Sequence, residues 1–143
     1  MADMAALRRN VAAMANELVK ISGLEDPDHP TVQWQGLATF IYGMVFAVGQ
    51  TERLSPPEVQ ALVIGFLRDA FGYSPEESAE YSSYFIKISM NKEKYPSDNA
   101  MIHRGIDGHR QWQQGDMEGL RANIGGIIKA IDDKYGRKTG RQG

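Results

Sequence analysis

The spacing of apolar residues predicts α-helices along almost the whole chain. In each predicted helix they recur three and four positions apart, which places them on one face. No segment alternates apolar and polar residues between turn signals, so the pattern predicts no β-sheet. The first apolar stripe consists of Met4, Leu7, Val11, Met14, Leu18 and Ile21.

This stripe predicts a first helix that ends at Ser22-Gly23, and its apolar face can pack against the chain's own core or against a second copy. Pro27 and Pro30 then prevent the helix from continuing. A second helix is predicted from about Val32 to Gln50. Its apolar face is wide, so we expect it at the centre of the core.

Two further helices begin with clear sequence signals. Residues 55–58 (SPPE) and 74–77 (SPEE) both match a capping box, in which a serine and a later glutamate each bond to the other's backbone N–H. Proline stands at the first helical position, where its missing N–H costs nothing. The third predicted helix ends at Gly72 and the fourth at about Met90.

The rest of the chain predicts a lysine-rich loop and two more helices. Ser97 or Asp98 is expected to cap the fifth helix, which ends near Gly115. The sixth helix begins at Asp116 and stops at about Gly136. The predicted fold is therefore all-α, a single-domain bundle of about six helices over residues 1–143, with a basic, Gly-rich tail at 136–143.

Composition narrows the class of protein. The chain has 16 basic and 18 acidic residues, so a nucleic-acid partner is not expected. The few cations of the tail (Arg137, Lys138 and Arg141) do not change that balance, and the near-neutral charge disfavours a nucleic-acid or regulatory adaptor that uses the tail. Absence of cysteine excludes thiolate metal sites and fits a reducing compartment.

The longest apolar run is shorter than the ~20 residues of a membrane span, and the N-terminus lacks a signal-peptide pattern. We expect a soluble cytoplasmic protein without a membrane partner.

The densest polar segment is residues 102–112, IHRGIDGHRQW, in the fifth predicted helix. At 100° per residue, its side chains divide between an inner and an outer face, and its two histidines point in different directions. They therefore cannot bind one metal ion without ligands from elsewhere. The inner face holds Gly105, Gly108, His109 and Trp112, and the outer face holds His103, Arg104, Asp107 and Arg110.

We expect the inner face to be structural. Gly105 and Gly108 are each unfavourable in a helix by ~1 kcal/mol relative to alanine, which close approach of a neighbouring helix would offset. The alternative is a groove floor that admits a partner group. His109 is expected to be hydrogen-bonded in the packed interior, with a role in a pocket as the alternative.

The outer face is a candidate contact surface. Asp107 stands four residues after His103 and three before Arg110, so both pairs can form on a solvated helix face. Arginine and aromatic residues are also enriched in interface hot spots. No catalytic motif, metal site or cofactor site is expected, because no nucleophile or metal-binding spacing accompanies these residues. A second candidate patch on the fourth helix combines acidic and aromatic side chains: Glu77, Glu80, Tyr81 and Tyr84.

Two motifs carry a resemblance to a known family. They are HRGIDGHRQW at residues 103–112 and PPEVQALVIGFLRDAFGYSPEESAEYSS at residues 56–83. Together they resemble an all-helical family of immunity proteins from bacterial polymorphic-toxin systems, which are encoded beside Rhs-type and other secreted toxins, including those of type VI secretion.

The resemblance implies a non-enzymatic cytoplasmic protein that binds a cognate toxin domain and blocks its active site or its access to substrate. The sequence leaves the chemistry of the toxin open between a nuclease, an NAD-consuming enzyme and an ADP-ribosyltransferase. The alternative hypothesis is a small helical enzyme that uses His103 with Asp107, or His109, in a pocket.

Overall fold

The computed structural model describes residues 3–25 and 32–135, which form six α-helices and contain no β-strand. The prediction of an all-α fold with about six helices is confirmed. The predicted loop prolines Pro27 and Pro30, the helix stop at Gly136 and the basic tail lie outside the described residues. The helices are α1 (Met4–Ser22), α2 (Val32–Glu52), α3 (Pro56–Asp69), α4 (Pro75–Ser89), α5 (Pro96–Gln114) and α6 (Met117–Tyr135).

Local sequence signals determine the starts of α3 and α4. Both capping boxes form, with Ser55 accepting from the backbone N–H of Glu58, and Ser74 from that of Glu77. In return, each glutamate carboxylate accepts from the backbone N–H of its serine, at 2.8 Å and 2.9 Å respectively. These helices therefore begin where their own residues satisfy the exposed backbone N–H groups.

The predicted cap of α5 at Ser97 or Asp98 is wrong, because the helix begins earlier, at Pro96, after the N-cap residue Tyr95. Proline suits this first helical position. The amide Nδ2 of Asn99 also donates to the carbonyl oxygens of Ile88, at 2.8 Å, and Tyr95, at 2.9 Å. This buried amide joins the end of α4 to the start of α5.

Helix α2 forms the centre of the core, as its wide apolar face predicts. Its buried residues lie on every side of the helix, which is the pattern of a helix surrounded by others. The other helices pack around it, and α5 makes the most extensive contact. The aromatic ring of Tyr42 on α2 stacks on Phe85 of α4, with 4.9 Å between the ring centroids.

The crossing of α2 and α5 depends on two glycines. A Cβ atom at Gly43 would overlap the carbonyl oxygen of Ile102, and a Cβ atom at Gly105 would overlap that of Phe40. Both obstacles are backbone atoms, which cannot rotate away as a side chain can. One turn further along α5, a Cβ atom at Gly108 would overlap the ring of Phe40. The two backbones can therefore approach this closely only where side chains are absent.

We predict that Gly105→Ala lowers the free energy of unfolding by about 2 kcal/mol, because the added methyl group forces α5 away from α2. Gly125→Ala is the matched control, since a Cβ atom there would meet nothing within 4 Å. This control should gain up to about 1 kcal/mol, the helix preference of alanine over glycine. Urea unfolding followed by circular dichroism measures both changes, and a Gly105→Ala protein as stable as the control would refute the crossing constraint.

Candidate functional site

The inner face of α5 packs into the bundle. Gly105, Gly108 and His109 are buried, and Trp112 is partly buried against the core. His109 is only 8% exposed, and burial lowers its pKa because the charged imidazolium loses hydration. It lines a cavity of about 180 Å³ between α1, α2 and α5, where Glu52 is the acidic neighbour. That volume is below the roughly 300–1,000 Å³ of typical ligand pockets.

The outer face of α5 exposes three of the four candidate contact residues. His103, Asp107 and Arg110 all lie at the surface. Arg110 Nη2 donates to Asp107 Oδ1 at 3.3 Å, with the side chains 66% and 60% exposed respectively. Because water and salt screen such a pair, it stabilises the helix by only about 0.3–0.5 kcal/mol. These charges therefore remain available to a partner.

Arg104 corrects the predicted outer face, because it turns towards α6 and is half-buried. Its Nε donates to Oδ1 of Asn123 at 2.8 Å, and its Nη2 donates to the backbone carbonyl of Asn123 at 2.9 Å. In return, Asn123 Nδ2 donates to the backbone carbonyl of Arg104 at 3.2 Å. Arg104 and Asn123 thus clamp α5 to α6. Placing the residues at 100° each predicts the direction in which Arg104 leaves α5. It does not predict where α6 lies, so Arg104 was assigned to the solvent-exposed face.

The candidate residues of α4 divide in the same way. Glu77 belongs to the capping box, and the half-buried Tyr81 stacks on Tyr73 with ring centroids 5.2 Å apart. Glu80 and Tyr84 face solvent. The hydroxyl of Tyr84 donates to Asp98 Oδ2 at 3.2 Å, which connects the exposed side of α4 to the first turn of α5.

The structure adds an apolar patch that the sequence analysis did not identify. We use the name α4 patch for Ile86 and Met90, which stand four residues apart and are 38% and 77% exposed; Tyr84, 40% exposed, lies on the side of α4 that faces α5. The sequence signal of the patch is that Ile86 lies off the buried stripe of α4, on which Ser82, Phe85 and Ile88 stand. Ile86 also lines an apolar groove of about 380 Å³ between α2, α3 and α4, together with the exposed Phe46. Large exposed apolar side chains that cluster in this way are typical of protein interaction sites.

Residues 3–25 and 32–135 contain neither a cluster of metal-binding side chains nor a membrane-spanning helix. No group of three or more histidine, aspartate or glutamate side chains in this part of the chain could hold a metal ion. None of its helices is both long and apolar enough to cross a membrane.

Comparison with known protein families gives a match over most of the chain. The family model described as immunity protein 48 matches residues 7–132, which include both candidate helices α4 and α5. No curated protein and no solved structure matches the chain. The resemblance inferred from residues 56–83 and 103–112 is confirmed at the level of an immunity protein family.

We predict that Arg104→Lys lowers the free energy of unfolding by about 1–2 kcal/mol. A lysine keeps the charge but lacks the planar fork, so it cannot replace both hydrogen bonds from Arg104 to Asn123. Arg110→Lys on the same helix is the matched control and should change the stability by less than about 0.5 kcal/mol. Chemical unfolding of both variants measures the difference, and equal effects would show that the clamp does not stabilise the fold.

We also predict that stability falls between pH 7 and pH 5 because of His109. Its pKa is lower in the folded chain than the unfolded value of 6.5, so the unfolded chain binds the proton first as the pH falls. His109→Gln should reduce this loss, whereas the exposed control His103→Gln should leave it unchanged. The Arg8 hydrogen bond lowers the pKa of Asp69 below 3.8, so its stabilising contribution is lost only at more acidic pH. Urea midpoints measured across this range test the assignment, and the same pH profile in all three proteins would contradict it.

Proposed function

Because the chain belongs to the immunity protein 48 family, we propose that it is a cytoplasmic immunity protein that binds a cognate secreted toxin domain. Binding blocks the active site of the toxin or its access to substrate. The observation that carries the proposal is the match of the family to residues 7–132. The role requires a stable protein surface and no chemistry by the immunity protein itself.

The positions of the histidines support binding over the alternative of a small enzyme. His103 lies exposed on the outer face of α5, while His109 is buried on the inner face of the same helix. The cavity beside His109 is small, at about 180 Å³. His103 and Asp107 lie together with Arg110 at the surface rather than in a pocket, which suits contact with a protein better than conversion of a small substrate.

The proposed contact surface combines the α4 patch with polar side chains of α4 and α5. Tyrosine supplies a large, rigid contact area, and methionine adapts its shape to a partner. A rim of charged residues then selects the partner by complementarity. Of the residues that the sequence identified, those exposed for this role are Glu80, Tyr84, His103, Asp107 and Arg110. Arg104 and Tyr81 are half-buried and support the surface from within the fold, and the exposed Glu77 caps α4.

The proposed function predicts rescue of growth. Co-expression of this chain with the toxin encoded by the neighbouring gene should restore growth of a bacterial host that the toxin alone arrests. The two purified proteins should also elute together from a size-exclusion column. No rescue and no complex would refute the function.

The contact surface has its own test, in which Ile86→Asp and Met90→Asp are combined in one protein. The pair should weaken toxin binding by about 30-fold or more, because it places two charges in an apolar contact worth about 2 kcal/mol. Ala5→Asp with Ala13→Asp adds the same charge to exposed positions of α1 and should leave binding unchanged. Calorimetric titration measures both. Equal affinities for the two double variants would remove the α4 patch from the interface.

A further inference from the structure

A second groove lies between the start of α5 and the end of α6, outside the α4 patch. Its volume is about 460 Å³, within the range of sites that hold a peptide side chain or a small ligand. Apolar side chains lie beneath cationic ones. The groove is lined by Met101, Ile127 and Ile131, and by Lys94, Arg104 and Lys134. We call it the basic groove.

The charge of the basic groove is opposite to that of the whole chain. The protein has a formal net charge of −2, whereas the groove is lined by three cations and one acidic residue, Asp98. The Tyr84 hydroxyl donates to Asp98, which partly offsets the charge of that carboxylate. The groove therefore attracts an acidic group more strongly than the rest of the surface does.

Arg104 is already held in place for this role. Two of the N–H groups of its guanidinium donate to Asn123, so the clamp between α5 and α6 fixes the guanidinium plane. An arginine side chain has five N–H donors in a rigid fork, which leaves three for a carboxylate in the groove. Because its orientation is set in advance, little conformational entropy is lost when a partner binds.

Lys94 is an exposed residue at the edge of the groove. Its Nζ lies 5.6 Å from the centre of the Tyr95 ring, close enough for a cation–π contact that keeps the ammonium group near this rim. Tyr95, which also lines the groove, contacts Tyr84 of α4, with ring centroids 6.3 Å apart. The exposed Tyr84 therefore lies next to the basic groove, and one partner can cover both.

We propose that the basic groove binds an acidic segment of the toxin, with aspartate or glutamate side chains at the cations and an apolar side chain on the floor. This inference rests on the proposed function and adds the chemistry of the partner. The apolar floor favours a peptide over an inorganic anion, which would leave Met101 and Ile131 uncovered. A nucleic acid would need a more extensive basic surface than one that three cations supply.

The test is a double charge reversal, Lys94→Glu with Lys134→Glu, in the full chain. The Kd for the toxin of the neighbouring gene should rise at least about 10-fold, mainly through slower association, because like charges now face each other. Added salt should weaken binding by the wild type and have less effect on the variant. The milder Lys94→Gln with Lys134→Gln should give an intermediate loss. Thermal unfolding shows whether each variant is folded.

The matched control reverses two exposed cations of α1, Arg9→Glu with Lys20→Glu, neither of which lines the groove. Its Kd should stay within about twofold of the wild-type value, since distant exposed charges are screened. Equal affinities of control and groove variant for the toxin would overturn the groove proposal and leave the proposed function standing. A wild-type chain that neither binds nor neutralises the toxin would overturn both. Loss of binding to a single-stranded oligonucleotide, with toxin binding intact, would show that the class of partner is wrong.

Discussion

The backbone contact between α2 and α5 is the constraint on which the rest of the structure depends. Gly43 and Gly105 bring the two helices together where any side chain would overlap a carbonyl oxygen. This distance places Gly108 against the ring of Phe40 and carries His109 into the interior. The close approach of the two helices also determines which side of α5 faces solvent. Positions on that surface are therefore set by a contact in the core, through a rigid helix.

The polar residues of α4 and α5 have two distinct roles. Arg104 joins α5 to α6 through Asn123, and Glu77 caps α4. Other side chains, such as His103 and Tyr84, remain exposed beside them. An interface built in this way loses little entropy on binding, because the residues underneath already hold its frame. The polar segment at residues 102–112 looks at first like an active site. Its division between residues that support the fold and residues that face solvent fits a member of the immunity protein family.

The sequence predicts the fold well where the signal is local. The capping boxes of α3 and α4 lie within four residues each, and both form as predicted. It predicts less well where the outcome depends on distant neighbours. The start of α5 is set partly by a bond from Asn99 to Ile88, and the direction of Arg104 by Asn123 on α6. Of the candidate surface, the exposed charges of α5 were identified, but Ile86 and Met90 were missed because their exposure depends on how α4 packs.

The construction of α4 has a consequence for how such a protein can evolve. The helix is started by its own capping box and attached to the core through its buried side, where Phe85 stacks on Tyr42. The exposed residues in the rest of the helix contribute little to its start or to its attachment to the core. Substitutions there are nearly neutral for folding, since surface changes away from special features alter stability by only about 0.5 kcal/mol. A lineage that meets a changed toxin can therefore alter the proposed contact surface on α4 one residue at a time, while the crossing of α2 and α5 stays the same.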